Sequence, residues 1–420
     1  MTWSAATSLN TAAATSKFTE GDFPEPRDWV AALALLRHDG GLPSHSSAPR
    51  LWLVMPLLAA CQGSPSKPAT APDPAPRAEP PQTELAPLQR LRLTYTFQAA
   101  ELVRRDWPLI EPAETCLLLV EPERQWVLNC KLAPQHFTKT SQSFRARPVY
   151  LHEGGSFESA GQMQSTAELL ATTPAAAQIP VRGMPQALPG DNPWLVVGSL
   201  EALTRFHPAF PGATTEAWVS VVMHELVHTH QLRAPGAERI LRAIVSGERT
   251  PHALTALYAR DQPFRALISR EYELLVRAAQ RPEHDSRAAK KALTRWLGHY
   301  QRRVRSLQGE ANAAQLIADD ALFSYIEGVA RYLESQFLED PSLHPQLSLA
   351  SDPRFDHYAQ FLDRGYAGSP NRQLDEHYFY AIGYHLCVLL DRLDRSWRMR
   401  VHTRDEFLYD LVRDLAASQK

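Results

Sequence analysis

The chain predicts an α+β fold, a small strand-containing N-terminal portion followed by a mainly helical one. Strand-like and turn-like pieces fill residues 88 to about 210, and from residue 215 onward apolar side chains recur at helical spacing. The composition agrees. With 420 residues, 44% of them hydrophobic, and a formal net charge of -2, the chain can build one or two ordinary cores and carries no global basic or acidic field. Nucleic acid is therefore not an expected partner. No apolar run approaches the length of about 20 residues that a membrane-spanning helix needs.

In the first portion, "TCLLLVEPERQWVLNC" places two apolar runs on either side of a Pro-containing polar turn, the pattern of a β-hairpin. Cys116 and Cys130 end its two arms, so they lie near each other as a possible disulfide or as two buried thiols. "RARPVYLHEGG" and "NPWLVVGSL" supply further strands. The second reads either as an ordinary buried strand or as an edge strand able to pair with an extended peptide.

In the second portion, helices are predicted over roughly 215–232, 252–280, 285–307, 311–338, 375–395 and 403–417, with breaks such as "RAPG", "RPEHDS" and "DPSLHP". The segment "RAAKKALTRWLGHYQRRVRSL" is rich in Lys and Arg, yet Ala289, Leu293, Trp296, Tyr300, Val304 and Leu307 recur every three or four residues. One face is therefore core and the other a solvated charged face. Cys387, in "YHLCVLLDRL", reads as a core residue rather than a nucleophile.

Upstream, "RLWLVMPLLAACQGS" at residues 50–64 sets a positive residue before an apolar run that ends in a cysteine with small neighbours. Leu58-Ala59-Ala60-Cys61 resembles the lipobox of bacterial lipoproteins, which implies a signal over residues 41–60 and lipidation at Cys61. A Pro/Ala/Ser-rich stretch, residues 61–87, would then tether the domain to the membrane. The resemblance implies an exported protein of the cell envelope, anchored by lipid in the outer membrane and facing the periplasm. Residues 1–40 exceed an ordinary leader and read as a gene-model extension or a disordered segment.

The chemistry concentrates in "VVMHELVHTHQ", residues 221–231. Residues i and i+4 of a helix share one face about 6 Å apart along the axis, so His224 and His228 can reach a single ion. Glu225 then sits beside the ion, where a general base can take a proton from an activated water. His230 points nearly the opposite way. The apolar flanks Val221, Val222, Met223, Leu226 and Val227 suit a metal helix buried at the floor of a cleft. Zinc at a catalytic site requires a third protein ligand. The HExxHxxGxxH pattern is excluded, because Gln231 and Ala234 hold its later positions. A downstream glutamate remains: Glu327 in the helix "LFSYIEGVARYLES", with Glu271 or Glu273 in "SREYELLVRAA" as the competing choice.

The string Glu327-Gly328-Val329-Ala330-Arg331-Tyr332-Leu333-Glu334 resembles the EGxAxYxE segment of the gluzincin metallopeptidases, distantly similar to the aminopeptidase N catalytic domain. That resemblance implies a zincin-like catalytic domain over residues 211–420, with Zn2+, one per chain, on His224, His228 and Glu327. It also implies that Tyr380, in the YxxG stretch Tyr380-Ala381-Ile382-Gly383, donates to the oxyanion. Two departures stand out. The 99 residues from His228 to Glu327 are a long interval for the family, and "GQMQS" at 161–165 has Gln164 where the family's GxMEN strand carries an anion. The expectation is an envelope-anchored zinc metallopeptidase acting on a peptide or protein. Its rival is a catalytically inactive zincin-fold lipoprotein that binds a peptide or envelope partner.

Overall fold

The computed structural model describes residues 84–153 apart from 109, 122 and 134–136, then 164–165, 194–206, 213–231, 252–281, 285–310, 312–359, 374, 377–403 and 406–417. The predicted signal, Cys61, most of the linker, and the breaks at "RAPG" and 282–284 lie outside these residues. All described residues belong to one unit, Trp52–Lys420.

The fold is α+β. Helix α1 (Pro87–Val103) precedes strands β1 (Cys116–Val120), β2 (Arg124–Leu128), β3 (Thr138–Phe144), β4 (Arg147–Glu153), β5 (Gln164–Ser165) and β6 (Trp194–Gly198). Helices follow: α2 (Leu200–Phe206), α3 (Thr215–Gln231), α4 (His252–Arg260), α5 (Gln262–Ala279), α6 (Ser286–Leu307), α7 (Ala313–Glu339), α8 (Tyr378–Asp391), α9 (Trp397–Thr403) and α10 (Leu408–Ala417). The sheet order is β3-β4-β2-β1-β6-β5. β1 and β2 form the expected antiparallel hairpin, with Leu117 opposite Leu128, whereas β6 runs parallel to β1.

Residues 194–198 are therefore not the edge strand. The two residues Gln164–Ser165 pair antiparallel outside them, so an extended peptide adding to this side would meet β5. All five residues of β1 and all five of β6 are buried, which is why both read as continuous apolar runs.

Leu117, Leu119, Leu195 and Val197 face the helices and join one core that also takes in α1 and the helices through α10. The strand-rich and helical portions thus share one interior. The opposite face gathers Cys116, Leu118, Val120, Cys130, Trp194 and Val196 into a second cluster. There the Cys116 and Cys130 sulfurs are bonded, with their Cα atoms 4.9 Å apart. Cys387 is buried in α8, and burial, then the charge of Asp391, pushes its thiol up.

Three element boundaries differ from expectation. Helix α1 arises where strands and turns were expected; its Leu93, Phe97 and Ala100 lie in the core. The helix expected over 252–280 is two, because Asp261 accepts a hydrogen bond from the Phe264 N–H and Pro263 occupies the first turn of α5. Past Asp391 the chain turns and resumes as α9, not as one helix from 403.

Candidate metal centre

Helix α3 has every residue but Ala217 buried, so its polar side chains must find partners inside the protein. Its start is fixed to the sheet and to the chain beyond α7. Trp218 Nε1 donates to the Gly198 carbonyl at 2.9 Å, and Thr215 Oγ1 to Asp352 at 2.6 Å. Two turns later His224 and His228 stand with ring centroids 4.6 Å apart.

Helix α7 crosses α3 and brings Glu327 to both rings. Its Oε2 lies 3.3 Å from His224 Nε2 and 3.5 Å from His228 Nε2. A tetrahedral ion with bonds of about 2.0–2.1 Å holds its ligand atoms about 3.3 Å apart, so these spacings are those of a ligand sphere. Among the described residues this is the one group of three such side chains whose donor atoms converge, all within 4.8 Å. It can hold a metal ion.

The surrounding hydrogen bonds decide which ring nitrogens face the centre. Gln231 donates through Nε2 to the carbonyls of Tyr325 and Ile326, at 3.2 and 3.0 Å, which turns its Oε1 toward His228 Nδ1 at 2.8 Å. That oxygen can only accept, so His228 carries its proton on Nδ1. Glu334 acts likewise on His224: its Oε2 lies 3.3 Å from Nδ1 and already accepts from Arg331 Nη1 at 2.7 Å. Ser220 Oγ donates to the other oxygen of Glu334 at 3.3 Å.

Both Nε2 lone pairs therefore point at the Glu327 carboxylate. With both rings neutral in that tautomer all three atoms are acceptors, and a proton or a metal cation removes the repulsion; once protonated, His224 Nε2 donates to Glu327 at 3.3 Å. His228 Nε2 indeed makes no hydrogen bond. Without metal the same geometry raises both histidines: burial alone would lower them, but Glu327 and Glu334 outweigh it at His224, and Glu327 at His228. Burial alone would raise Glu327, yet His228 and then His224 hold it well below the usual carboxylate range.

Glu225 is buried beside this group, and its charge bears on both His228 and Tyr380. Tyr380 reaches the site from α8, its ring stacked 6.4 Å from His224 and 5.3 Å from the Arg331 guanidinium carbon. Burial, then the charge of Glu327, pushes its hydroxyl up, so it keeps its proton and remains a donor. What seats Tyr380 is a pair of glycines. A Cβ on Gly328 would fall 2.4 Å from the Gly383 Cα, and one on Gly383 would fall 2.0 Å from the Ser324 carbonyl oxygen. The two helices meet backbone to backbone, a contact that no other residue permits.

The competing ligands are placed elsewhere. Glu271 accepts from Arg303 Nε at 2.8 Å and Nη2 at 3.1 Å inside a separate buried cluster, and Glu273 is exposed, paired with Arg277. His230 turns away, its Nε2 accepting from the Glu111 N–H at 3.3 Å. The sequence did not disclose the roles of Gln231, Arg331 and Glu334. The available signal was the spacing of Gln231 three residues after His228 and of Glu334 seven after Glu327.

Compared with known proteins, the chain matches no family model, no curated protein and no solved structure.

Proposed function

We propose that the chain is a zinc-dependent metallopeptidase of the bacterial envelope, held to the membrane by lipid at Cys61. The observation that supports it best is the convergence of His224, His228 and Glu327, with Glu225 and a protonated Tyr380 at the same place. A merely structural ion has no use for those last two groups. Two imidazoles and one carboxylate favour zinc among common divalent ions. Zinc there would act as a Lewis acid, making a water more acidic and a carbonyl more electrophilic.

The protein's own groups do the rest. Glu225 accepts the proton of the attacking water and then delivers it to the departing amine, so the peptide nitrogen leaves neutral. Tyr380 donates a hydrogen bond to the carbonyl oxygen as negative charge grows on it, and its raised pKa keeps that proton available. Glu334 and Gln231 hold the imidazoles in the orientation that exposes Nε2. The lipid anchor and periplasmic location rest on residues 50–64 alone.

Two measurements test this. Metal content should be about one zinc per chain in the wild type and in Glu271→Ala, and near zero in Glu327→Ala; loss in Glu271→Ala instead would overturn the ligand set. Glu225→Gln should retain zinc and lose about 10²–10⁴-fold in hydrolysis of an unstructured peptide library. If the wild type binds zinc and cleaves nothing in such a library, the protein is a peptide- or partner-binding lipoprotein on the same scaffold.

A further inference from the structure

A cavity of about 420 Å³ opens between the start of α1, the β1–β2 turn and the start of α2, and it shares no residue with the metal centre. Gln89 lies in its wall, 3% exposed. Among the described residues neither its amide oxygen nor its amide nitrogen has a hydrogen-bond partner. Leaving both ends of a buried amide unpaired is rare in native proteins and costs stability unless something else supplies the bonds.

The charges around the cavity indicate what that is. Arg92 is already engaged, by Asp352 on two nitrogens and by Glu201 on the third. Burial, with Glu201 adding to it, raises the Glu121 carboxyl against the Trp126 indole N–H, which donates to it at 2.8 Å, and the charge of Arg124. Glu123, in the wall as well, is exposed and enters no ion pair among the described residues. The wall itself sets Glu121, Glu123 and Glu201 against Arg92 and Arg124, an excess of one carboxylate, and the Arg92 guanidinium is taken up by Glu201 and by Asp352 behind it, which disfavours an anionic ligand. A bare metal ion does not fit either, because these carboxylates do not converge as the metal centre does. The volume lies in the range of small-molecule sites, about 300–1,000 Å³.

We propose that this cavity binds the amino end of a peptide, or a small α-amino amide, with the ammonium group among the carboxylates and the adjacent carbonyl accepting from the Gln89 amide. Such a ligand brings the cation that the charge excess calls for and, next to it, both the acceptor and the donor that Gln89 lacks. The site stands independently of the peptidase reading.

Isothermal titration of the full chain with alanyl-alanine amide, its N-acetyl derivative and 1,4-diaminobutane tests it. The free amide should bind, acetylation should weaken binding at least tenfold, and Gln89→Leu should weaken it by a similar factor. Gln89→Leu should at the same time raise the melting temperature of the ligand-free protein by a few degrees, because an unpaired polar group is removed. Glu123→Gln, at an exposed position that does not bear on folding, should weaken binding severalfold. The proposal is overturned if the amide does not bind, if it binds equally to Gln89→Leu, or if the diamine binds as tightly as the amide. The first two outcomes leave water as the partner of Gln89, and the third leaves a site for charge alone.

Discussion

Helices α7 and α8 each serve two buried ionic clusters, and the clusters are built on opposite rules. Near the start of α7, Asp320 accepts from Arg303 Nη1 at 2.9 Å and from the Tyr378 hydroxyl at 2.6 Å, while the remaining guanidinium nitrogens grip Glu271. There one guanidinium faces two carboxylates. Two turns on, Glu327 meets two imidazoles, at 3.3 and 3.5 Å, whose Nδ1 atoms already face Glu334 and Gln231. The first cluster contains its own fixed cation, and the second is balanced only by a proton or a metal ion. Burial therefore does not mark the carboxylate that could hold a metal ion. What separates Glu327 from Glu271 is the partner: Glu271 faces the fixed charge of Arg303, whereas Glu327, 15% exposed, faces two imidazoles.

The comparison can be broken most severely at Arg303. Arg303→Met would leave Glu271 and Asp320 as uncompensated buried charges, and unfolding free energy should fall by about 3–5 kcal/mol while metal stoichiometry stays near one. Denaturant melts and metal analysis on the same sample read both quantities. A loss of zinc equal to that of Glu327→Ala would show that the clusters are not separate.

A smaller effect sharpens the other side. Glu334→Gln keeps an oxygen near His224 but removes the charge that fixes its tautomer, and zinc affinity should fall about 10–100-fold with stoichiometry preserved. A chelator competition that finds unchanged affinity would remove Glu334 from the centre.

The smallest effect concerns a third buried carboxylate, one with neither a cation nor a metal. Glu216 accepts backbone N–H bonds from Asp356 and Tyr358, at 2.8 and 3.0 Å, yet burial, with Asp356 adding to it, pushes it up to about 7. The folded value lies above the ordinary one of 4.5, so the native state holds the proton between the two. This contribution is complete below about pH 4.5 and is lost as pH rises through about 7. With a discount for solvent screening it amounts to on the order of 1–2 kcal/mol. Stability curves between pH 4.5 and 8 should show the loss in the wild type and not in Glu216→Gln, and parallel curves would assign it to another group.

What the sequence disclosed follows the same division. His224 and His228 were legible because ligand spacing on one helix is a local property, and Glu327 because a glutamate amid apolar helical positions needs a reason. The choice between Glu327 and Glu271 was not legible, since it depends on Arg303 reaching Glu271 from another helix. Gln231 and Glu334 escaped notice for the same reason: each works through contacts with a different helix. Helix α1 was missed because "LRLTYTF" is rich in residues that also suit strands, and Ala86 at its start forms no side-chain cap. The buried strands β1 and β6 were recognisable, but the placement of Gln164–Ser165 outside β6 is a long-range pairing with no local trace.

The contact of Gly328 with Gly383 has a mechanical consequence. With no side chain between the two backbones, the joint has no compliance, and no rotamer change can widen it. Glu327 and Tyr380, carried on either side of that joint, then move as one rigid body. Any motion that parts the three side chains then has to shift α3, which carries both imidazoles, away from that body. That parting and the release of a metal ion held there would be one motion, so the exchange rate of added zinc and the hydrogen exchange of the α3 backbone should rise and fall together.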